Sequence, residues 1–314
     1  MSRLAFVGRR LVQMLPVAVG VTILVFFMIH LVPGDPARTM LGVHATDRAV
    51  ALLHHQWGLD RPLPAQYGLF LSRLLHADLG DSLYYRVAAR SLIAARLSAT
   101  LWLLLYAAIL SVLISLPLAS IAATRKNGWI DQAVRAIPLV GLGMPSFWVG
   151  IILIRFLALG AGRLFPVGGY GEGLVGHLHS MFLPGLTVAL SIAPLLIRSL
   201  RASMLSVLES EYVTTARSKG LSPRRVLVRH ALRNAVIPTV TVLGINIGFL
   251  VGGTLVVESV FALPGIGNLM LTAIFNRDFP VVQGVTMVFA ILVVSVNLLT
   301  DVAYSLLDPR VRFD

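Results

Sequence analysis

The sequence predicts an all-α polytopic membrane protein with six transmembrane helices and both termini in the cytoplasm. Three observations carry that reading. Mean hydropathy is +0.84, and only 13% of the 314 residues are charged, about half the share of a soluble domain. Six apolar runs are long enough to cross a ~30 Å hydrocarbon core at 1.5 Å per residue. The basic residues that give a net charge of +12 flank those runs, and they gather in alternate loops, on one side of the membrane. A basic balance of that kind sets membrane topology and does not call for nucleic acid. The chain has no Cys, which excludes disulfides, thiolate metal sites and cysteine nucleophiles.

The first run, Leu11–Val32, follows Arg3, Arg9 and Arg10 as a signal peptide would. At 22 residues it exceeds the usual apolar stretch of a signal peptide, and no small-x-small cleavage site follows. It reads as a retained span ending at the turn Pro33-Gly34-Asp35-Pro36. The other spans are Ala99–Ala123, Ile137–Leu159, Met181–Leu200, Val236–Val257 and Val281–Leu299. Prolines at 117, 138, 145, 184 and 194 predict kinks, which membranes tolerate when neighbours satisfy the freed carbonyls.

Orientation follows from the side that holds the Lys and Arg of short loops. One side carries Arg3, Arg9, Arg10, Arg125, Lys126, Arg135, Arg198, Arg201, the cluster between Arg217 and Arg233, Arg310 and Arg312. The two short loops opposite hold only Arg163 and Arg277. The basic side is the cytoplasmic one. This divides the chain into residues 1–32 (cytoplasmic start and first span), an extracytoplasmic segment 33–98, and a five-helix core 99–314.

The external segment has helices of its own. Thr46 to Trp57 is amphipathic, Gly58-Leu59-Asp60-Arg61-Pro62 ends it, and Ala65 to Leu75 forms a second helix. Arg86 to Arg96 runs along the outer interface into the second span. The segment either covers helix ends or caps the molecule toward an extracellular partner, with Thr46, Leu53 and Trp57 as candidate contacts.

Polar residues in the spans have ordinary accounts. His30, Arg155 and Asp301 lie close enough to span ends to reach the interface, and Asn246 and Asn297 fit helix–helix joints. No central acid is evident, so a proton-relay transporter is not supported. Gly141, Gly143 and Gly150, and Gly244, Gly248, Gly252 and Gly253, permit close helix contact or line a path.

The longest polar stretch inside this apolar chain is EYVTTARSKGLSPRRVLVRHALRNAVIP, Glu211 to Pro238. It reads as two helices broken at Gly220, a residue that ends helices in the left-handed region. Ser222-Pro223 then supplies an N-cap and a first-turn proline. Arg225, Arg229 and Arg233 recur every four residues as one basic face. A cytoplasmic hairpin of this kind is a docking handle whose partner is lipid, nucleic acid or protein.

No G-x-x-x-x-G-K-[ST] occurs, so an ATP-driven process needs another subunit for hydrolysis. No H-E-x-x-H, G-x-S-x-G or EF-hand pattern is present. His177 and His179 lack a third metal ligand nearby, and Ser146 lacks a histidine at matching depth. An intramembrane enzyme is thereby disfavoured. A self-contained secondary transporter would show internal repeats and midplane ion sites, and neither is visible.

Eight blocks, in order, carry a resemblance over nearly the whole chain: LVPGDPA at 31–37, QWGLDRPLPAQY at 56–67, DLGDSL at 78–83, GMPSFWVG at 143–150, the 211–238 stretch, VVESVFALPGIGNLM at 256–270, RDFPVVQG at 277–284 and LLDPRVR at 306–312. The chain resembles the inner-membrane permease subunits of bacterial dipeptide and oligopeptide ABC importers. The resemblance implies a type I importer fold in the bacterial inner membrane. It also implies a heterodimer with a second permease, two ATPase subunits that hold ATP and magnesium, and an extracytoplasmic peptide-binding protein. The chain itself then binds no cofactor and is not an enzyme. Related branches carry nickel, glutathione or opines.

The same resemblance makes residues 201–235 the EAA loop, whose first helix docks on the ATPase. Thr214, Thr215 and Ala216 occupy the E-A-A positions, and Gly220 matches the glycine that follows. Glu211, Tyr212, Arg217 and Lys219 complete the implied contact. Thr214 stands where the consensus has Glu. Arg233 stands where it has Pro, with Pro238 five residues later.

Overall fold

A computed structural model describes residues 3–31, 34–42, 45–160 and 162–307. Val32, Pro33, Arg310 and Arg312 of the sequence reading lie outside the described residues. Among those described, regular structure is helical throughout, with a single isolated bridge between Asp81 and Ala88.

Among the described residues, five helical stretches are long and apolar enough to cross a membrane. They are helix α1 (Arg3–Leu31), α5 (Ala89–Thr124), α9 (Phe182–Leu208), α12 (Arg233–Val260) with the turns that precede it, and α14 (Phe279–Leu307). Between α1 and α5 lie the short α2 (Pro36–Leu41), α3 (Asp47–Trp57) and α4 (Leu63–Leu75). Thr46 caps α3 by accepting a hydrogen bond from the Ala49 N–H at 3.3 Å. Pro36 opens α2 behind Asp35, whose carboxylate accepts from Ala37 N–H at 2.9 Å.

The single third span expected over Ile137–Leu159 is corrected by the structure. The chain forms α6 (Trp129–Leu142), breaks, and resumes as α7 (Ser146–Leu153), which a π turn extends over Ile154–Ala158. Pro145 sits immediately before α7 in extended conformation. Proline has no N–H to donate and disfavours helix in the residue before it, so Gly143-Met144-Pro145 ends α6 outright instead of kinking it. Pro117 and Pro194, by contrast, lie inside continuous helices.

The second span is longer than expected. Helix α5 runs 36 residues, about 54 Å at 1.5 Å per residue, and absorbs the stretch assigned to the outer interface. The second helix of the basic hairpin is likewise no separate element. Pro223–Arg225 (α11) passes through a π segment, Val226–Leu232, straight into α12.

Helix α9 is the centre of the bundle. It packs along α5 and α12, α12 packs on α14, and α14 carries α1. Three apolar clusters result. One joins Leu103, Met181, Leu183 and Phe261 near one end. A second joins Ile93, Ile266, Leu269 and Val281 at that same end. The third, with Ala123, Leu200, Met204 and Ala235, lies at the end that carries the basic stretch. Gly244 lets α12 approach α14 closely, since a Cβ there would overlap Thr300. Gly248 of the GxxxG pair also faces α14, whereas Gly252 meets nothing.

Candidate coupling site

The basic stretch begins with a free-standing helix, α10 (Glu211–Ser218). Its polarity leaves one narrow apolar edge: Val213 and Ala216 are buried, while Glu211, Tyr212, Thr214, Thr215, Arg217, Lys219 and Gly220 are exposed. That edge rests on α9 and on the π segment. Tyr212 fixes the angle, because its hydroxyl accepts from Asn234 Nδ2 at 2.9 Å.

Gly220 terminates α10 with φ +77°. The Leu221 N–H reaches the Ala216 carbonyl at 3.3 Å and the Gly220 N–H reaches the Arg217 carbonyl at 2.9 Å. This is the paired C-terminal motif that glycine serves at little cost. Ser222 and Pro223 hold the expected N-cap and first-turn positions, although the Ser222 side chain makes no capping bond.

Of the eight residues that the resemblance implies as the coupling contact, seven are exposed and the eighth, Ala216, is turned inward. Arg225, Arg229 and Arg233 are all exposed. The π segment between them hydrogen-bonds with a longer period than an α-helix, so a strict four-residue stripe does not describe them.

Beside α10 lies a site that the sequence reading missed. Asp131, in the first turn of α6, is fully buried and faces α9. Arg201 grips it with two parallel bonds, Nε to Oδ1 at 2.5 Å and Nη2 to Oδ2 at 2.7 Å. The Asn127 N–H donates to Oδ2 at 3.0 Å, and Arg135 stands 3.7 Å away. The hydrogen bonds from Arg201 hold the Asp131 carboxyl below the usual carboxylate range, outweighing the opposing effect of burial. Lys126 pairs with Glu209 at 2.5 Å, two residues before α10. At the same end Arg10 pairs with Asp301 at 3.3 Å, so Asp301 joins α14 to α1 where the sequence offered only the interface.

The opposite end holds two more buried acids, neither paired with a cation among the described residues. Glu258, near the end of α12, accepts from Thr100 Oγ1 at 2.6 Å and from the Asn268 N–H at 2.9 Å. Thr100 in turn accepts from the Ile266 N–H at 3.0 Å. The carboxylate therefore sits at the start of α13 (Ile266–Phe275), where helix N–H groups lack partners of their own. Gly265 and Gly267 make the room, since a Cβ on either would strike Glu258.

Asp278 precedes α14. It accepts from Ser82 Oγ, from the Leu83 N–H at 3.1 Å and from the Tyr84 N–H at 3.3 Å, which pins the external segment to the core. The sequence signal for both acids was their position in the blocks at 256–270 and 277–284, Glu258 just past the end of one expected span and Asp278 just before the start of another. Neither lies mid-span.

The external candidates Thr46, Leu53 and Trp57 share α3. Thr46 is exposed but serves as the cap, and Leu53 and Trp57 are half-buried. Trp57 lines a cavity of about 390 Å³ together with Phe26, Phe70, Arg73, Pro280 and Met287. His30 does not simply reach for the interface: it hydrogen-bonds Gln66 Oε1 at 3.1 Å and ties α1 to α4. His177 and His179 each bond a separate backbone carbonyl, of Tyr170 and of Leu164, both at 2.8 Å. Asn246 bonds the Val242 carbonyl of its own helix at 2.7 Å, not a neighbouring one.

Two family models match. Residues 115–313 fit the binding-protein-dependent transport system inner membrane component, and residues 3–84 fit the N-terminal part of the same class of membrane components. A probable peptide ABC transporter permease protein of Sinorhizobium fredii is 38% identical over 98% of this chain and 99% of its own length. A putative peptide transport system permease protein of Brucella abortus is 39% identical over 99% of both chains. The glutathione transport system permease protein of Salmonella typhimurium is 36% identical over 99% of both. Among solved structures, an inward-facing methionine ABC transporter superposes with a TM-score of 0.59 over 69% of this chain and 96% of that one. At 17% identity that likeness shows the fold alone. The chain is a multi-pass membrane protein and belongs to the family of binding-protein-dependent transport system inner membrane components, the permease subunits of ABC transporters.

Proposed function

We propose that this permease subunit forms, with a second homologous permease, the passage by which di- and oligopeptides cross the bacterial inner membrane. An extracytoplasmic binding protein delivers the cargo. Two separate ATPase subunits bind ATP and magnesium and drive the cycle through α10. The observation that carries the reading is α10 itself: a polar helix set on a tyrosine hinge, with seven implied contact residues turned to solvent. An exposed, preoriented helix is the shape a groove-bearing partner takes up.

On this reading the α10 end faces the cytoplasm, together with both termini, as the distribution of Lys and Arg requires. The broken α6–α7 segment makes the sixth crossing. Residues 201–235 form the coupling loop, and α3, with Leu53 and Trp57 on its half-buried side, lies toward the binding protein. The peptide cargo is supported by relatives named as peptide permeases over their full length. The relative named for glutathione, itself a peptide, keeps that narrower cargo as the second reading.

Uptake by the full complex in proteoliposomes tests the proposal. Labelled dipeptides should enter only with internal-facing ATP and loaded binding protein, and unlabelled peptides should compete better than nickel or opines. Uptake by this chain alone, driven by an ion gradient, would sink it.

A further inference from the structure

The Asp131 side chain is 0% exposed and that of Arg201 15%, so the pair offers a partner little surface, yet Arg201 lies on the helix that leads into α10. Arg201 lies on α9, ten residues before Glu211 opens α10. Between them α9 is unbroken to Leu208, and Met204 is fully buried. A displacement of α10 therefore reaches Arg201 through a stiff rod about two turns long.

On its other side Asp131 belongs to α6, the helix that ends at the Gly143–Pro145 break before α7. Helices α5, α6 and α9 share an apolar core of Ala119, Ala123, Leu200 and Met204, with Val134 and Leu205 packed against it. An ion pair in such a place adds little net stability over apolar packing, but it fixes which groups stay together. The two-pronged guanidinium fixes their angle as well. Arg135, at 3.7 Å and half exposed, offers charge without that geometry.

We propose that Asp131 and Arg201 are positioning residues for coupling: together they form a clamp that makes α6 move with the α9–α10 unit. Force applied at α10 thereby reaches the broken α6–α7 crossing. The clamp stays closed through the cycle. The Lys126–Glu209 pair, exposed on both sides, is a solvated accessory whose loss changes little. This inference rests on α10 being the ATPase contact.

The test uses the complete transporter in lipid nanodiscs and proteoliposomes, with partner permease, ATPases and binding protein present. Arg201→Lys keeps the charge and loses the fork, and Asp131→Asn loses the charge at nearly the same volume. Both variants should assemble with the ATPases and hydrolyse ATP at the basal rate. Peptide moved per ATP should fall about three- to thirty-fold, the range for residues that carry coupling between sites.

Because the chain has no cysteine, the double variant Asp131→Cys/Arg201→Cys can be tethered with a short bifunctional thiol reagent. Tethering should restore the ratio, and cleaving the tether should abolish it again. A merely structural role would lower the amount of assembled complex and leave the ratio per complex unchanged. That unchanged ratio, or a tether that blocks transport, overturns the clamp. Failure of the unmodified chain to capture ATPase through α10 is a different result, and it overturns the docking reading on which the clamp depends.

Discussion

The two ends of the bundle hold their acids in opposite ways. At the α10 end, Asp131 is held by a guanidinium, and the helix stop at Gly220 uses a residue for which positive φ costs little. At the other end, Glu258 and Asp278 are held by hydroxyls and backbone N–H groups. The helices beside them stop at Ala262 with φ +48° and at Arg277 with φ +53°. Side chains in that region cost roughly 1–2 kcal/mol each, and such conformations persist where the surroundings over-determine them. Leu263 and Asp278 complete those stops by donating backbone bonds at 2.8 Å to the Glu258 and Ala273 carbonyls. One end is joined by a pair of side chains; the other is a cradle made largely of main chain.

The largest effect is therefore expected at the cradle. Glu258→Ala leaves Thr100 and the Asn268 N–H without their acceptor and opens a void, at a cost of about 3–5 kcal/mol. Thermal unfolding in detergent should show it, while Glu258→Gln, which keeps an acceptor for Thr100, should recover part of the loss. Equal melting of the alanine variant and the parent would mean that the cradle does not hold α13.

A smaller effect belongs to Asp131, where the charged hydrogen bonds are worth about 1.5–3 kcal/mol. Its carboxyl titrates below the usual carboxylate range because Arg201 bonds the ionised form. The stabilisation is therefore complete above the ordinary carboxylate pKa and is lost as pH falls through the lowered folded value. Asp131→Asn should melt earlier than the parent at neutral pH, and the gap should close in acid. A gap that persists unchanged below the range of carboxylate titration would assign the difference to packing.

The contrast also explains what could be read from residues alone. The apolar runs, the Gly220 stop and the α3 and α4 helices depend on near neighbours in sequence, and hydropathy or turn chemistry exposes them. The α6–α7 break was visible as Pro145, but a proline in an apolar run permits either a kink or a stop, and the glycines before it decided the outcome. The buried acids were invisible for another reason. Asp131 and Arg201 are 70 residues apart, Thr100 and Glu258 are 158 apart, and Ser82 and Asp278 are 196 apart. Nothing near any of these acids in sequence marks it as buried, because the partner comes from a distant element. Within the coupling site, the direction of α10 was legible only in part. Its inward edge of Val213 and Ala216 follows from three-residue spacing, whereas the Tyr212–Asn234 hinge needed the π segment to align it.

The central claim is that the outward face of α10 meets an ATPase. A photo-activatable cross-linking residue placed at Thr215, which is exposed, and in a separate variant at Val213, which is buried, tests it within the assembled transporter. The account predicts an adduct with the ATPase subunit from position 215, dependent on complex assembly, and none from 213. Transport-competent complexes that give no ATPase adduct from 215, or that give one equally from 213, would contradict it.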